Sequence, residues 1–258
     1  MPRLHTSRHV ADMPPALAPA LPPASIASAR SPAAATREAL LDSGFALAAR
    51  VGLRGLTVRG VTSRTGANPG SFVYHFGSRD AFQRELLERW YQPLCADLSQ
   101  QLDNAEAALP RLRSMLLHVT GFVNRNGGFI SQLLMDALAG EAVAREFLAG
   151  LSPRHFVLLL DAVRKAQQAG AVCDADPLHI LSMLVAASGA PLMLHYLIAG
   201  QPAVPQLMQE SLMRFGADPA AIAQRIDWAL KGVSTTAAAT ATAADCTPKN
   251  TKKRKSAI

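Results

Sequence analysis

The sequence is poor in cysteine, in aromatic residues and in long apolar runs. Its three cysteines, Cys95, Cys173 and Cys246, lie far apart and show neither a C-x-x-C motif nor a Cys/His metal spacing. This pattern excludes a disulfide framework and favours a reducing cytoplasm. No apolar run reaches the roughly 18 to 20 residues of a membrane span, and the first 30 residues lack the apolar core of a secretory signal. We therefore expect a cytoplasmic chain with no membrane partner.

The motifs of common enzymes are missing as well. The sequence contains no G-x-S-x-G, no P-loop, no H-E-x-x-H and no glycine-rich dinucleotide turn. Its acidic residues are scattered and form no obvious catalytic pair. The sequence thus predicts no enzymatic activity, no cofactor and no metal site.

The residues that are abundant favour helices and a basic surface. Among the 258 residues, the apolar ones are mostly Ala, Leu and Val, while aromatics make up 5%, which is typical of an all-α protein. The formal net charge is +7 and the isoelectric point is about 9.8, so an acidic polymer such as nucleic acid is a plausible partner.

Composition divides the chain into four segments. Residues 1–30 are rich in Pro, Ala and Ser, and residues 233–258 are low in complexity and end in a basic cluster, so we expect two disordered tails. The basic cluster either adds DNA affinity or is a solvated tail, and the sequence leaves both open. Helical periodicity dominates between the tails, where we place one domain at 31–80 and another at 81–232.

Capping residues delimit the first helices. A helix begins at Pro32 or Thr36 and stops at Gly52, with apolar residues every three to four positions. Thr57 caps a second, short helix that ends at Gly66, a residue suited to a left-handed turn.

A third short helix follows the turn, and its two faces differ. Asn68 caps it, and Phe72 and Phe76 share one face for burial. The other face carries hydrogen-bonding groups, at Asn68, Ser71, Tyr74 and His75. Two short helices joined by a glycine turn are typical of a helix-turn-helix, whose second helix enters the major groove of DNA. The glycine at position 70 lets the backbone approach DNA closely.

A fourth helix begins directly after this pair. Ser78 caps it, and Arg79 lies in its first turn. The free N–H groups of that turn, together with the guanidinium, are suited to a phosphate.

These residues carry a resemblance to a known family. The stretch TREALLDSGFALAARVGLRGLTVRGVTSRTGANPGSFVYHFGSRDAF resembles the N-terminal region of the TetR-type bacterial transcriptional regulators. The resemblance implies an N-terminal three-helix DNA-binding domain followed by a larger helical ligand-binding and dimerisation domain. It also implies a homodimer that represses transcription from a palindromic operator on double-stranded DNA and is released by a small-molecule effector.

Carried over by position, the resemblance assigns DNA contacts to nine residues. Thr57 and Arg79 would contact phosphates, Arg59 would lie near the backbone or a base, and Tyr74 and His75 would hold phosphates. The groove-facing residues would be Asn68, Pro69, Gly70 and Ser71. Val73 and Pro69 depart from the family pattern, in which a tyrosine and a lysine are common, so affinity would depend more on flanking arginines or on the basic tails.

The rest of the chain reads as further helices. We predict them at 79–102, 109–125, 128–139, 141–149, 153–169, 176–199 and 204–230, with a break between the second and third at Gly127-Gly128 and another from Gly216 to Pro219. The stretch PLHILSMLVAASGAPLMLHYLIAG is apolar on nearly all faces. It is either a core helix or, as the resemblance implies, part of the dimer interface.

Soft or polar side chains set in apolar helices are candidates for an effector pocket. They are Met115, His118, Phe122, Met135, Met183, His195 and Tyr196. Each of them is also an ordinary core residue type, and the sequence does not decide between the two roles. Two further interpretations stay open: a redox-sensing regulator that uses Cys95 or Cys173, and a helical interaction protein that keeps the helix-turn-helix as scaffold.

Overall fold

The fold is all-α, as the sequence predicts. A computed structural model describes residues 32–103, 106–198, 201 and 203–235. Within these residues the regular structure is helical, apart from an isolated antiparallel bridge between Val172 and Ser234. The predictions for residues 1–30 and for the basic cluster near the C-terminus lie outside the described residues.

The helices of the N-terminal part agree with the predicted caps. They are α1 Pro32–Val51, α2 Val58–Thr65 and α3 Pro69–Phe76, and α4 follows at Arg79–Asp103. The larger part contains α5 Ala108–Leu138, α6 Ala142–Ala149, α7 Val157–Gln168, α8 Pro177–Ile198, α9 Gln206–Ser211 and α10 Pro219–Val233. A kinked turn at Ser152–Phe156 and a short π-helical segment at Leu212–Ala217 precede α7 and α10.

One predicted helix break is wrong. The break expected at Gly127-Gly128 does not exist, because α5 runs without interruption through both glycines. Gly127 is buried, and a Cβ atom at this position would lie 2.0 Å from the Tyr196 ring. This glycine therefore allows α5 and α8 to approach closely, and it does not end a helix. The second predicted break is confirmed, since α10 begins at Pro219 after the π-helical segment.

The N-terminal helices pack around a phenylalanine cluster. Phe72 and Phe76 of α3 meet Phe82 of α4, with ring centroids 4.8 and 4.7 Å from it. A Cβ atom at Gly44 of α1 would lie 2.3 Å from the same Phe82 ring. Because α4 continues into the larger part of the chain and packs there against α5, α6 and α7, the phenylalanine cluster is continuous with the rest of the core.

Helix α8 is long and apolar. An 18-residue window within its 22 residues has a mean hydropathy of 1.6, so the helix is long and apolar enough to cross a membrane by length and composition. A core helix of a soluble protein meets the same criterion. Here α8 packs against α5, α7 and α10, and its buried residues include Leu181, Leu184 and Leu192.

Candidate nucleic-acid interface

Two side-chain caps and one glycine shape the helix-turn-helix. The Thr57 hydroxyl accepts a hydrogen bond of 3.0 Å from the Gly60 N–H at the start of α2. Gly66 ends α2 with φ of +70°, a left-handed conformation that glycine adopts without strain. The Asn68 Oδ1 atom then accepts a hydrogen bond of 2.7 Å from the Ser71 N–H and caps α3.

Helix α3 presents one face to the core and the other to solvent. Phe72 and Phe76 are buried, whereas Tyr74 is 81% exposed and Val73 is 57% exposed. An exposed tyrosine and valine on adjacent positions leave most of their apolar surface in water. Helix α3 is therefore oriented as a recognition helix needs to be.

The other residues with predicted base or backbone contacts are accessible on the same motif. Thr57, Arg59, Asn68, Pro69 and Gly70 are exposed, and Ser71 is half-buried. These placements are compatible with the predicted DNA contacts, which stay predictions.

Tyr74 and His75 form an edge-to-face pair. Their ring centroids are 5.1 Å apart with an interplanar angle of 74°. Tyr74 points into solvent, while His75 is half-buried beside the buried Phe76 ring. The phenol is therefore freer to reach a phosphate than the imidazole.

Arg79 is partly engaged inside the molecule. Its Nη2 atom donates to the Leu53 carbonyl at 2.9 Å and to Glu141 Oε2 at 3.1 Å. The side chain is 37% exposed, although its Nε atom is buried. The predicted phosphate contact stays a prediction, and Arg79 has in addition a structural role between the loop after α1 and the start of α6.

Leu53, in the loop between α1 and α2, is the centre of this junction. Its N–H donates to Asp136 Oδ2 at 2.6 Å, and its carbonyl accepts from Gln83 Nε2 at 2.7 Å as well as from Arg79. Asp136 comes from the end of α5, and Gln132 Nε2 donates to its other carboxylate oxygen at 3.3 Å. Sequence reasoning missed this site, because Asp136 is a single acidic residue in an apolar helix.

Unpaired arginines surround the helix-turn-helix. Arg54, Arg59 and Arg64 are exposed, and none of them pairs with a carboxylate among the residues that the structure describes. Arg37 and Arg89 of the same region are paired, with Glu85 and with Glu38 and Asp42 respectively. Free guanidinium groups beside an exposed helix are suited to the DNA backbone.

The seven predicted effector residues lie in different surroundings. Met115 is fully buried, Phe122 and Met183 are half-buried, and Met135 is exposed. His118 Nε2 lies 3.2 Å from Asp97 Oδ2 near the surface. The Tyr196 hydroxyl donates to the Asn124 carbonyl at 2.5 Å, and burial raises the pKa of Tyr196 and lowers that of His195. Their role in effector binding stays a prediction.

An aromatic cluster that sequence reasoning missed lies between α4, α5 and α6. Trp90 is its centre, with ring centroids 5.0 Å from Phe122, 4.9 Å from Phe129 and 6.2 Å from Phe147. The indole N–H donates to Asn126 Oδ1 at 3.0 Å. The adjacent Trp90 and Tyr91 in the sequence of α4 indicate an aromatic cluster, but their spacing does not show which other helices pack against them.

A polar group adjoins this cluster at Tyr91. The Tyr91 hydroxyl hydrogen-bonds with Nδ1 of His155, and the Arg154 guanidinium lies 4.4 Å from the Tyr91 ring centroid. Burial raises the pKa of Tyr91, and the Cys95 thiol raises it further. Burial, followed by the charge of Arg154, lowers the pKa of His155, which is therefore neutral near pH 7.

The comparisons agree with this geometry. Residues 40–86 match the model of the family described as bacterial regulatory proteins, tetR family. This match confirms the resemblance carried by the helix-turn-helix region. No curated protein matches the chain.

Solved structures extend the likeness over most of the chain. One is a complex of SmeT with triclosan, with a TM-score of 0.60, 21% identity, and coverage of 86% of this chain and all of that one. A TetR transcription regulator from Haloarcula marismortui has a TM-score of 0.59 at 12% identity, with coverage of 78% and 99%. The TetR-family regulator PfmR from Thermus thermophilus has a TM-score of 0.51 at 17% identity, with coverage of 72% and 97%. At these identities the likeness shows a shared fold.

Proposed function

We propose that this chain is a homodimeric, ligand-responsive regulator of transcription that represses from a palindromic operator. The observation that carries the proposal is the helix-turn-helix, in which α3 turns its unburied face to solvent and Arg54, Arg59 and Arg64 have no acidic partner among the described residues. The tetR-family match over residues 40–86 supports it. We assign DNA binding to residues 31–80 and effector binding and dimerisation to 81–232.

An exposed apolar surface supports the dimer. Helices α8 and α10 lie side by side, and their solvent-facing side chains include Leu178, Val185, Leu194, Leu197 and Trp228. A surface of this kind favours burial against a partner. In a two-fold dimer the two α3 helices would lie about 34 to 36 Å apart and read both halves of a palindrome.

The dimer surface can be tested by one charge substitution. Trp228 is 63% exposed on α10, and we expect Trp228→Glu to shift the protein towards monomer in analytical ultracentrifugation. Leu138→Glu, at an exposed position at the end of α5, is the matched control and should leave the dimer intact. If the two variants had the same fraction of dimer in analytical ultracentrifugation, the assignment of this surface would be contradicted.

The effector domain supports a largely apolar ligand. The cluster around Trp90 is aromatic and contains one amide, Asn126, whose Oδ1 atom accepts from the indole and whose Nδ2 atom donates to the Phe122 carbonyl. The similar structure of SmeT contains triclosan. We therefore place the effector beside Trp90 and expect it to be an aromatic or lipophilic molecule.

Fluorescence can test that placement. The chain has two tryptophans, so Trp228→Phe leaves Trp90 as the single reporter. We expect a panel of lipophilic compounds to include one that changes Trp90 emission and releases DNA at the same concentration. A compound that releases DNA without changing Trp90 emission would contradict this location.

The first test of the function is selection of bound sequences from a random duplex library. Salt near 150 mM weakens non-specific electrostatic binding, while base readout persists. An enriched palindrome is the expected result. A folded dimer that enriches no sequence, with or without the compound panel, would contradict the proposal and favour the helical interaction protein.

A further inference from the structure

The exposed face of the recognition helix lacks side chains that read bases by paired hydrogen bonds. Between Asn68 and Gly77 the sequence NPGSFVYHFG contains no Arg, Lys, Gln, Asp or Glu. Bidentate readout of guanine or adenine needs Arg, Lys, Asn or Gln. Asn68 is the one residue of α3 and its caps with a suitable group.

Asn68 is occupied by its capping role. Its Oδ1 atom accepts from the Ser71 N–H at 2.7 Å and from the Ser71 hydroxyl at 3.3 Å. A bidentate contact with adenine needs both the amide oxygen and the amide nitrogen. The cap therefore leaves only the Nδ2 donor for a base, and Ser71 has already directed its hydroxyl proton to Asn68.

Apart from the Tyr74 phenol and the His75 imidazole, the unoccupied groups on this face are apolar. Pro69 and Val73 lie four residues apart, on one edge of α3, and both are exposed. The Val73 isopropyl group is 57% exposed although valine is β-branched and disfavoured in helices. Gly70 lies beside them, and because it has no side chain, the helix backbone is accessible at this position. This edge therefore exposes methyl and methylene groups to any molecule that contacts α3.

The chemistry that matches such an edge in a major groove is the 5-methyl group of thymine. It is the apolar feature that distinguishes thymine from the other bases, and apolar side chains are the usual partners for it. An exposed valine elsewhere on a surface needs no explanation, but Val73 lies on the exposed face of α3, where a base edge in the groove would meet it.

We propose that Val73, with Pro69 beside it, reads thymine 5-methyl groups in each operator half-site. The inference rests on the proposed function. It assigns specificity to van der Waals contact along the Val73 edge, and it assigns most of the affinity to arginines on the flanking helices, which contact the backbone of any sequence.

The experiment replaces methyl groups one at a time. In the selected operator, each thymine of both half-sites is changed in turn to uracil, which removes only the 5-methyl group. Fluorescence anisotropy near 150 mM salt then measures Kd. Loss of one buried methyl should weaken binding about fourfold, and the symmetric pair about sixteenfold.

Two variants assign the effect to a side chain. Val73→Ala should bind the thymine and uracil operators with nearly equal Kd, because the partner of the methyl is gone. Val51→Ala is the matched control, since Val51 is 44% exposed at the end of α1 and lies off the recognition helix. It should keep the wild-type ratio between the two operators.

The outcomes separate this inference from the function on which it rests. An enriched palindrome whose uracil versions all bind like the original would overturn the inference and leave the regulator intact. A uracil effect that persists unchanged in Val73→Ala would overturn the role of Val73. If no operator is enriched, the proposed function fails first and the inference fails with it.

Discussion

Removing the carboxylate of Asp136 should destabilise the junction between the helix-turn-helix and the larger helical domain. This side chain is 4% exposed and accepts the Leu53 N–H at 2.6 Å. In Asp136→Ala the N–H stays buried without its acceptor, which costs about 1 to 3 kcal/mol, and loss of the charge-assisted bond places the effect near the upper end. For a domain of this size we expect the Tm to fall by roughly 5 to 10 °C.

Two further variants make the reasoning quantitative. Asp136→Asn keeps a neutral acceptor of the same shape and should lose about half as much stability, because charge-assisted hydrogen bonds are about twice as strong as neutral ones. Asp161→Asn is the control, since among the described residues Asp161 pairs only with Lys165, on the surface of α7. Such a pair contributes about 0.3 to 0.5 kcal/mol.

Two assays check the size and the place of the effect. Thermal unfolding gives the Tm of each variant, and native-state hydrogen exchange reports on the Leu53 amide. We expect this amide to be protected in the wild type and to exchange faster in Asp136→Ala. A Tm loss in Asp136→Ala no larger than that in Asp161→Asn, with unchanged exchange at Leu53, would refute the reasoning.

Three more expectations follow from the geometry. Gly127→Ala should lower the Tm more than Gly128→Ala, because a Cβ at Gly127 would lie 2.0 Å from the Tyr196 ring whereas nothing lies within 4 Å at Gly128; equal losses by calorimetry would contradict the close packing. The pKa of His155 is lowered in the folded protein from the ordinary histidine value of 6.5. At pH values below 6.5 the unfolded chain therefore binds more protons than the folded chain. Stability is therefore fully present above that pH and is lost as the pH falls below it, and urea titrations of His155→Gln should show a weaker loss between about pH 6.5 and 5 than the wild type. Arg59→Ala should reduce the slope of log K against log salt by about one while leaving the Tm unchanged, and a lowered Tm would mean that Arg59 has a structural role.

The sequence was informative where local chemistry decides the structure. Thr57, Asn68 and Gly66 delimit α2 and α3 as predicted, because caps and left-handed turns depend on a few neighbouring residues. Phe72 and Phe76 were assigned to the core by their spacing, and both are buried.

The failures share a physical reason, which is contact between residues distant in sequence. The sequence predicts a helix stop at Gly127, but the residue that requires a glycine there, Tyr196, comes from another helix. Asp136 gave no signal, although it holds the backbone of a residue 83 positions away. The phosphate contact of Arg79 stays a prediction, but its bond to Glu141 could not be inferred from the sequence around it.

The hydrogen bonds that hold the Leu53 backbone from two sides limit which parts of this protein can be exchanged with those of another protein. Its N–H is held by α5, and its carbonyl is held by the first turns of α4. A chimaera that joined residues 31–80 to a foreign effector domain would keep Arg79 but lose both Asp136 and Glu141. The transplanted domain would then have a buried donor without an acceptor and an arginine without its carboxylate. A successful exchange therefore has to carry the end of α5 and the start of α6 with α1 to α3, although Asp136 lies 57 positions after Arg79 in the sequence.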